Sequence, residues 1–299
     1  MKFNIRKFVI WLTIIMAASF MIAGVILIIT GNFSIAVEQI DESKTFDAEE
    51  INEIYADITS TDINIIPAEG SEIKVHLHGE VSTNRNRDIP SLVAYKSGNE
   101  LRIEIVQQKT VFIGISVWRA SLDVYIPEDS IETLKVDTVS SDISVIDLKV
   151  NEFDFSGVSG DFKGESLFTD NIKFKTTSGD VNLNGYTGDI NIHLVSGDVV
   201  LEDGSQNDNI EVVAVSGDVY IQQEDPSDIN IKNTSGDIGI DLSEDAEFYL
   251  KAGTVSGDIE NRFPIKINTS SRRSLEGTVG SGEREIVVST NSGDIKVDY

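Results

Sequence analysis

The sequence has no cysteine, so disulfides and thiolate chemistry are excluded, although this absence says little about redox compartment. Basic residues are scarce: 24 Lys and Arg stand against 50 Asp and Glu, a formal net charge of −26. A nucleic-acid interface needs cations to neutralise phosphates, and this deficit argues against one. The short words of common enzymes are missing too. There is no G-x-S-x-G elbow, phosphate-binding loop or dinucleotide fingerprint. Histidine occurs only three times. His193 has no local partner, while His76 and His78 stand two apart on one face of a predicted strand. That pair is either half a metal site or part of an exposed strand face.

Charge is also missing from residues 8–30, FVIWLTIIMAASFMIAGVILIIT. As a helix this run would extend about 35 Å, enough to cross a hydrocarbon core of about 30 Å. Lys2, Arg6 and Lys7 precede it; Glu38, Asp41, Glu42, Glu49 and Glu50 follow. The positive-inside rule then places the N-terminus in the cytoplasm and the rest outside. A cleaved signal peptide competes with this reading, but the run exceeds the usual apolar region of about 7–15 residues and no A-x-A site follows. A buried core helix is the blander alternative, yet all-round apolar helices fit poorly in a strand-patterned chain. The expected division is a cytoplasmic tail at 1–7, a transmembrane helix at 8–30, a polar stalk at 31–50 and an extracytoplasmic domain at 51–299. Setting aside the three N-terminal cations, that exterior carries 21 basic and 50 acidic residues, a net of about −29, which attracts cations and cationic peptides.

What the chain has in abundance is one word. Ser-Gly-Asp occurs with its Asp at 161, 180, 198, 218, 237, 258 and 294, and Ser140-Ser141-Asp142 and Ser60-Thr61-Asp62 are degenerate copies. From 142 to 258 the steps are 19, 19, 18, 20, 19 and 21 residues; the intervals 62–142 and 258–294 are longer. Around Ser216 the apolar residues are Ile210, Val212 and Ala214 before the word, then Val219 and Ile221 after it. The period is 2 on both sides, but the parity flips from even to odd. Ile190, Ile192 and Leu194 against Val199 and Leu201 repeat the flip, as do Leu134 and Val136 against Ile143 and Val145.

A straight strand cannot change parity without turning its apolar set toward solvent, so each word must absorb an extra residue in a bulge or corner. Gly160, Gly179, Gly197, Gly217, Gly236, Gly257 and Gly293 would supply the unusual φ. Each Asp could tie the bend by accepting backbone N–H bonds, as in an Asx-turn. Polar turns such as Glu202-Asp203-Gly204-Ser205 separate the corners. The expected fold is therefore all-β: a single-stranded, β-helix-like solenoid of roughly 19-residue coils stacked about 4.8 Å apart behind one transmembrane helix. A multi-stranded β-sandwich is the alternative. Residues 51–133 would be an irregular part containing a hairpin at Ser97-Gly98-Asn99, 134–260 the regular repeats, and 261–299 the closing repeats. Trp118 reads as core or cap.

TTSGDVNLNGYTGDINI at 176–192, VSGDV at 195–199 and 215–219, LDVYIP at 122–127 and GTVGSGEREIVVSTNSGDIKV at 277–297 carry a resemblance. They resemble the bacterial "putative adhesin" β-strand-repeat family, a domain group of unknown function, over about residues 51–299. The resemblance implies a membrane-anchored, cell-surface solenoid linked with envelope stress, and brings no catalytic residues.

In register, Asp161, Asp180, Asp198, Asp218, Asp237 and Asp258 would form a carboxylate ladder about 5 Å apart, repelling by about 0.8 kcal/mol per pair at high dielectric. Water, backbone donors or a hard cation such as Ca²⁺ could answer that repulsion. One Gly and one Asp in nineteen residues is thin for a calcium repeat. Equivalent acids do not differentiate into the unlike pair that a polysaccharide-cleaving enzyme needs. The expected function is non-enzymatic and without a cofactor: an acidic ectodomain binding proteins or cationic peptides by charge, or a partner strand at an edge. A Ca²⁺-binding surface repeat and a polysaccharide-acting enzyme are the alternatives.

Overall fold

The computed structural model describes residues 5–29, 36–83, 89–106, 118–205 and 209–299. Residues 1–4 of the expected tail, 30–35 at the helix–stalk junction, Val117 and the side chain of Trp118 lie outside the described set. The chain divides into two compact units: residues 1–40, 79–90 and 107–120 form one, and residues 41–78, 91–106 and 121–299 the other.

The first unit contains the helix Ile5–Ile29. Its segment Arg6–Ile26 has a mean hydropathy of 2.4 and is long and apolar enough to cross a membrane; the same length and composition fit a signal sequence. Where the sequence suggested a stalk, residues Ala36–Asp47 form a strand and Ala48–Glu50 a short 3-10 turn. The polar composition concealed an alternation: between Asp41 and Asp47 the side chains of Glu42, Lys44 and Phe46 are half-buried and their neighbours exposed.

The second unit is all-β, as the period-2 pattern requires. Each repeat gives one strand before the corner and one after it, and both pair in parallel with the same strands of the next repeat. Thus Ile190, Ile210 and Ile229 lie side by side before the corner, and Val199, Val219 and Ile238 after it. Ile210, Val212, Ala214, Val219 and Ile221 are all buried, so the parity flip keeps one apolar set inward on both sides. Each buried Val or Ile contributes about 1.5–3 kcal/mol through burial, and Ala214 less. Phe153, Phe155, Phe162 and Phe174 are buried together, with the Phe162 and Phe174 rings 4.3 Å apart.

Sequence order and spatial order part company near the C-terminus. The strands Arg284–Ser292 and Ile295–Asp298 pair on one side with Asp228–Ser235 and Ile238–Leu242, and on the other with Phe248–Ser256 and Ile259–Asn261. The last repeat is therefore inserted between two earlier ones. Pairing also turns antiparallel toward each end of the ladder. Ser91–Ser97 and Glu100–Val106 form the hairpin expected at Ser97-Gly98-Asn99, and Ser274–Val279 runs antiparallel to both Phe248–Ser256 and Lys266–Ser271.

Candidate functional site

The corners line up. In spatial order the aspartates run Asp62, Asp142, Asp161, Asp180, Asp198, Asp218, Asp237, Asp294 and Asp258. The Oδ1 of each accepts the backbone N–H of the next, at 2.7–3.2 Å. The carboxylates are exposed, but their bonds are not those of an Asx-turn. Parallel stacking presents the next repeat's N–H, and a donor one repeat away meets the anion in place of one two residues on. The same bonds offset the repulsion along the row, because a charge-assisted bond holds each oxygen beside a positive dipole. Asp294, which the sequence ladder omitted, takes its place between Asp237 and Asp258.

Asp258 ends the row. Arg272 donates to its Oδ1 from Nε at 2.6 Å and to its Oδ2 at 3.3 Å. The Arg272 hydrogen bond, with its positive charge behind it, holds the Asp258 carboxyl below the usual carboxylate range, against a smaller opposing push from desolvation.

Gly160, Gly179, Gly197, Gly217, Gly236, Gly257 and Gly293 have φ between +124° and +158°. A second constraint is steric: a Cβ on Gly217 would sit 1.9 Å from the carbonyl oxygen of Gly197, and the column repeats this contact. That crowded carbonyl is itself bonded at several repeats, as by Asn233 Nδ2 to Gly217 O at 2.8 Å and Thr254 Oγ1 to Gly293 O at 3.0 Å. Ser141 and Thr61 occupy the glycine position without positive φ, and both are buried. The Ser141 hydroxyl has no hydrogen-bond partner among the described residues.

A second constellation occurs once among the described residues. His76 and His78 lie on the strand Glu72–Thr83, Asp123 on Trp118–Pro127, and Asn64 on Asp62–Ala68 directly opposite Asp123. His78 Nε2 is 2.9 Å from Asp123 Oδ2, and Asn64 donates to Asp123 Oδ1 at 2.7 Å. His76 Nε2 is 2.8 Å from Asp41 Oδ1, and the two imidazole rings are 4.8 Å apart. Ligand atoms of His76, His78 and Asp123 all lie within 4.8 Å of one another. The sequence exposed the histidine pair and missed its carboxylate, 45 residues along the chain. The alternation in Leu122-Asp123-Val124-Tyr125 places Asp123 on an outward face, but only strand pairing brings it to the histidines. His193 is exposed and lies outside this cluster.

An open groove of about 440 Å³ is lined by Glu49, Glu50, Glu128 and Asp129, among others. All four carboxylates are exposed, and Asp129 pairs with Lys149 at 2.6 Å.

The fold and the corner row define a class: an all-β protein of parallel repeats whose corners are held by glycine and aspartate. The family profile of Toastrack DUF4097 matches residues 51–298, and the chain belongs to that family. It is similar to solved structures of a "putative adhesin" from Bacteroides fragilis (13% identity, 88% of this chain and 97% of that one, TM-score 0.46) and one from Parabacteroides distasonis (15%, 86% and 97%, 0.42). A third, from Clostridium sporogenes, is described as a putative cell adhesion protein (12%, 87% and 99%, 0.31). No curated protein matches the sequence.

Proposed function

We propose that this chain is a non-enzymatic, adhesin-like protein of the bacterial cell envelope, whose acidic ectodomain binds or scaffolds cationic partners. In this reading the parallel repeats are successive coils of a single-stranded solenoid. The helix Ile5–Ile29 is an uncleaved anchor with its N-terminus in the cytoplasm. The observation that supports the reading is the corner edge. The aspartate row is exposed, and beside it Val139, Val158, Val195, Val215 and Val255 are each about half exposed or more. Carboxylates at one-strand spacing beside an apolar stripe suit a segment that alternates cationic and apolar side chains. Charge recruits such a partner, and the valines shed water on contact.

Strand addition at the end of the ladder has less support. Lys266–Ser271 is fully exposed, but it carries a register irregularity and runs into Arg272 and Arg273, features that blunt an edge.

The test is a titration of the purified chain with a cationic amphipathic peptide. Binding is expected to fall steeply between about 20 and 500 mM salt, as the screening length shrinks toward a few ångströms. An affinity that ignores salt removes the charge mechanism, and a neutral peptide binding equally well removes the cationic partner.

A further inference from the structure

We propose that His76, His78 and Asp123 form a binding site for one divalent transition-metal cation, with Zn²⁺ the best match. Two imidazole nitrogens and one carboxylate oxygen make a donor set of borderline character, which suits Zn²⁺ and its neighbours rather than Ca²⁺ or Mg²⁺. The site is separate from the aspartate row, where only oxygen ligands occur, and it stands whether or not that row captures peptides.

The geometry needs little change. With metal–ligand bonds of about 2.0–2.1 Å, tetrahedral ligand atoms lie roughly 3.4 Å apart. His78 Nε2 and Asp123 Oδ2, now 2.9 Å apart, open slightly to admit the ion, and the three donor atoms, already within 4.8 Å, draw together around it. These are side-chain rotations on strands whose backbone pairing stays fixed. Histidines two apart on one strand face the same side, so both rings reach the same point without a bend.

Two features go beyond an ordinary His–Asp hydrogen bond. Asn64 holds Asp123 Oδ1 at 2.7 Å and leaves Oδ2 turned toward the histidines, as a supporting partner does for a ligating carboxylate. His76 meanwhile contacts Asp41, whose side chain is 85% exposed. An exposed pair of this kind holds weakly, so His76 is released to the ion at little cost. The His76 and His78 side chains are 24% and 40% exposed and Asp123 13%, which gives ions access while the carboxylate stays fixed. A fourth coordination position is left to water. The acidic chain raises the local concentration of any cation around it.

The experiment uses the full chain in detergent, stripped with a chelator and titrated with Co²⁺ by visible absorption and with Zn²⁺ by calorimetry, both in millimolar Ca²⁺. The expected result is one equivalent bound, with the Co²⁺ band of a four-coordinate site and no displacement by Ca²⁺. His76→Ala and His78→Ala should each weaken binding by at least about tenfold, and Asn64→Ala by about tenfold through the orientation of Asp123. Circular dichroism checks that each variant folds, and the two histidine variants decide the matter if Asp123→Asn does not. Wild type that binds no equivalent, binding that survives His76→Ala with His78→Ala, or displacement by Ca²⁺ would overturn the proposal.

Discussion

The aspartate row and the histidine pair use the same acid differently, the row at corners between strands and the pair on an outward strand position. In the row, each carboxylate meets a backbone N–H supplied by the next repeat, and the arrangement recurs eight times. At Asp123 the partners are three side chains, an imidazole, an amide and the Tyr125 hydroxyl, and the arrangement occurs once among the described residues. Repetition gives every acid the same surroundings, which suits an acid for holding repeats together. Unlike partners on one acid assemble a mixed donor set, and such a set can select a ligand. The repeated word therefore marks structure, while the unrepeated site carries the more specific chemistry.

The sharpest way to break this contrast is at a corner glycine. Gly217→Ala combines positive φ with a Cβ 1.9 Å from a backbone oxygen, so the loss should reach about 3 kcal/mol or more and be visible as a large drop in the denaturation midpoint. Ser141→Ala tests the other kind of corner. It removes a buried hydroxyl with no partner and should be neutral or stabilise by up to about 1 kcal/mol. Equal damage at both positions would mean that the glycine column is not set by backbone contact.

Next come the acids. Asp198→Ala strips the acceptor from the Asp218 N–H and should cost about 1–2 kcal/mol in chemical denaturation, with Asp198→Asn losing less because its amide oxygen still accepts. Asp258, at the end of the row, supports no further repeat, and Asp258→Ala should cost less than Asp198→Ala. In metal-free buffer His76→Ala should stay within about 0.5 kcal/mol of wild type, since its partner Asp41 is exposed and such pairs contribute little. A stability loss at His76 matching that at Asp198 would erase the distinction between the two regions.

The corner was legible because its signal is local: Ile210, Val212 and Ala214 against Val219 and Ile221 force a break whatever surrounds them. Partners supplied from elsewhere in the chain were not legible. Nothing near Asp198 says that its Oδ1 serves Asp218 instead of its own turn. The interval from Asp258 to Asp294 reads as a long gap, and only pairing shows that Asp294 falls between Asp237 and Asp258. Asp123 is hidden in the same way, on a strand whose alternation marks the face but not the neighbour. The strand at Ala36–Asp47 was missed because charged residues alternate within it and mask its period.

The smallest expected effect lies at the row's end. The guanidinium of Arg272 lowers the Asp258 carboxyl in the folded chain, so the ionised form is favoured by folding. A carboxyl lowered in this way contributes stability above its unfolded value and loses it as pH falls through the folded value. Acidification should therefore weaken the end of the ladder from the usual carboxylate value downward. In Arg272→Ala the folded value moves back toward the unfolded one, so that loss should shrink, with the Asp258 resonance titrating nearer the ordinary value by NMR. The change is small because both side chains face water, where salt screens them. An Asp258 titration that Arg272→Ala leaves unmoved would mean the arginine merely lies alongside, and that the last carboxylate of the row ends in solvent with no cation to close it.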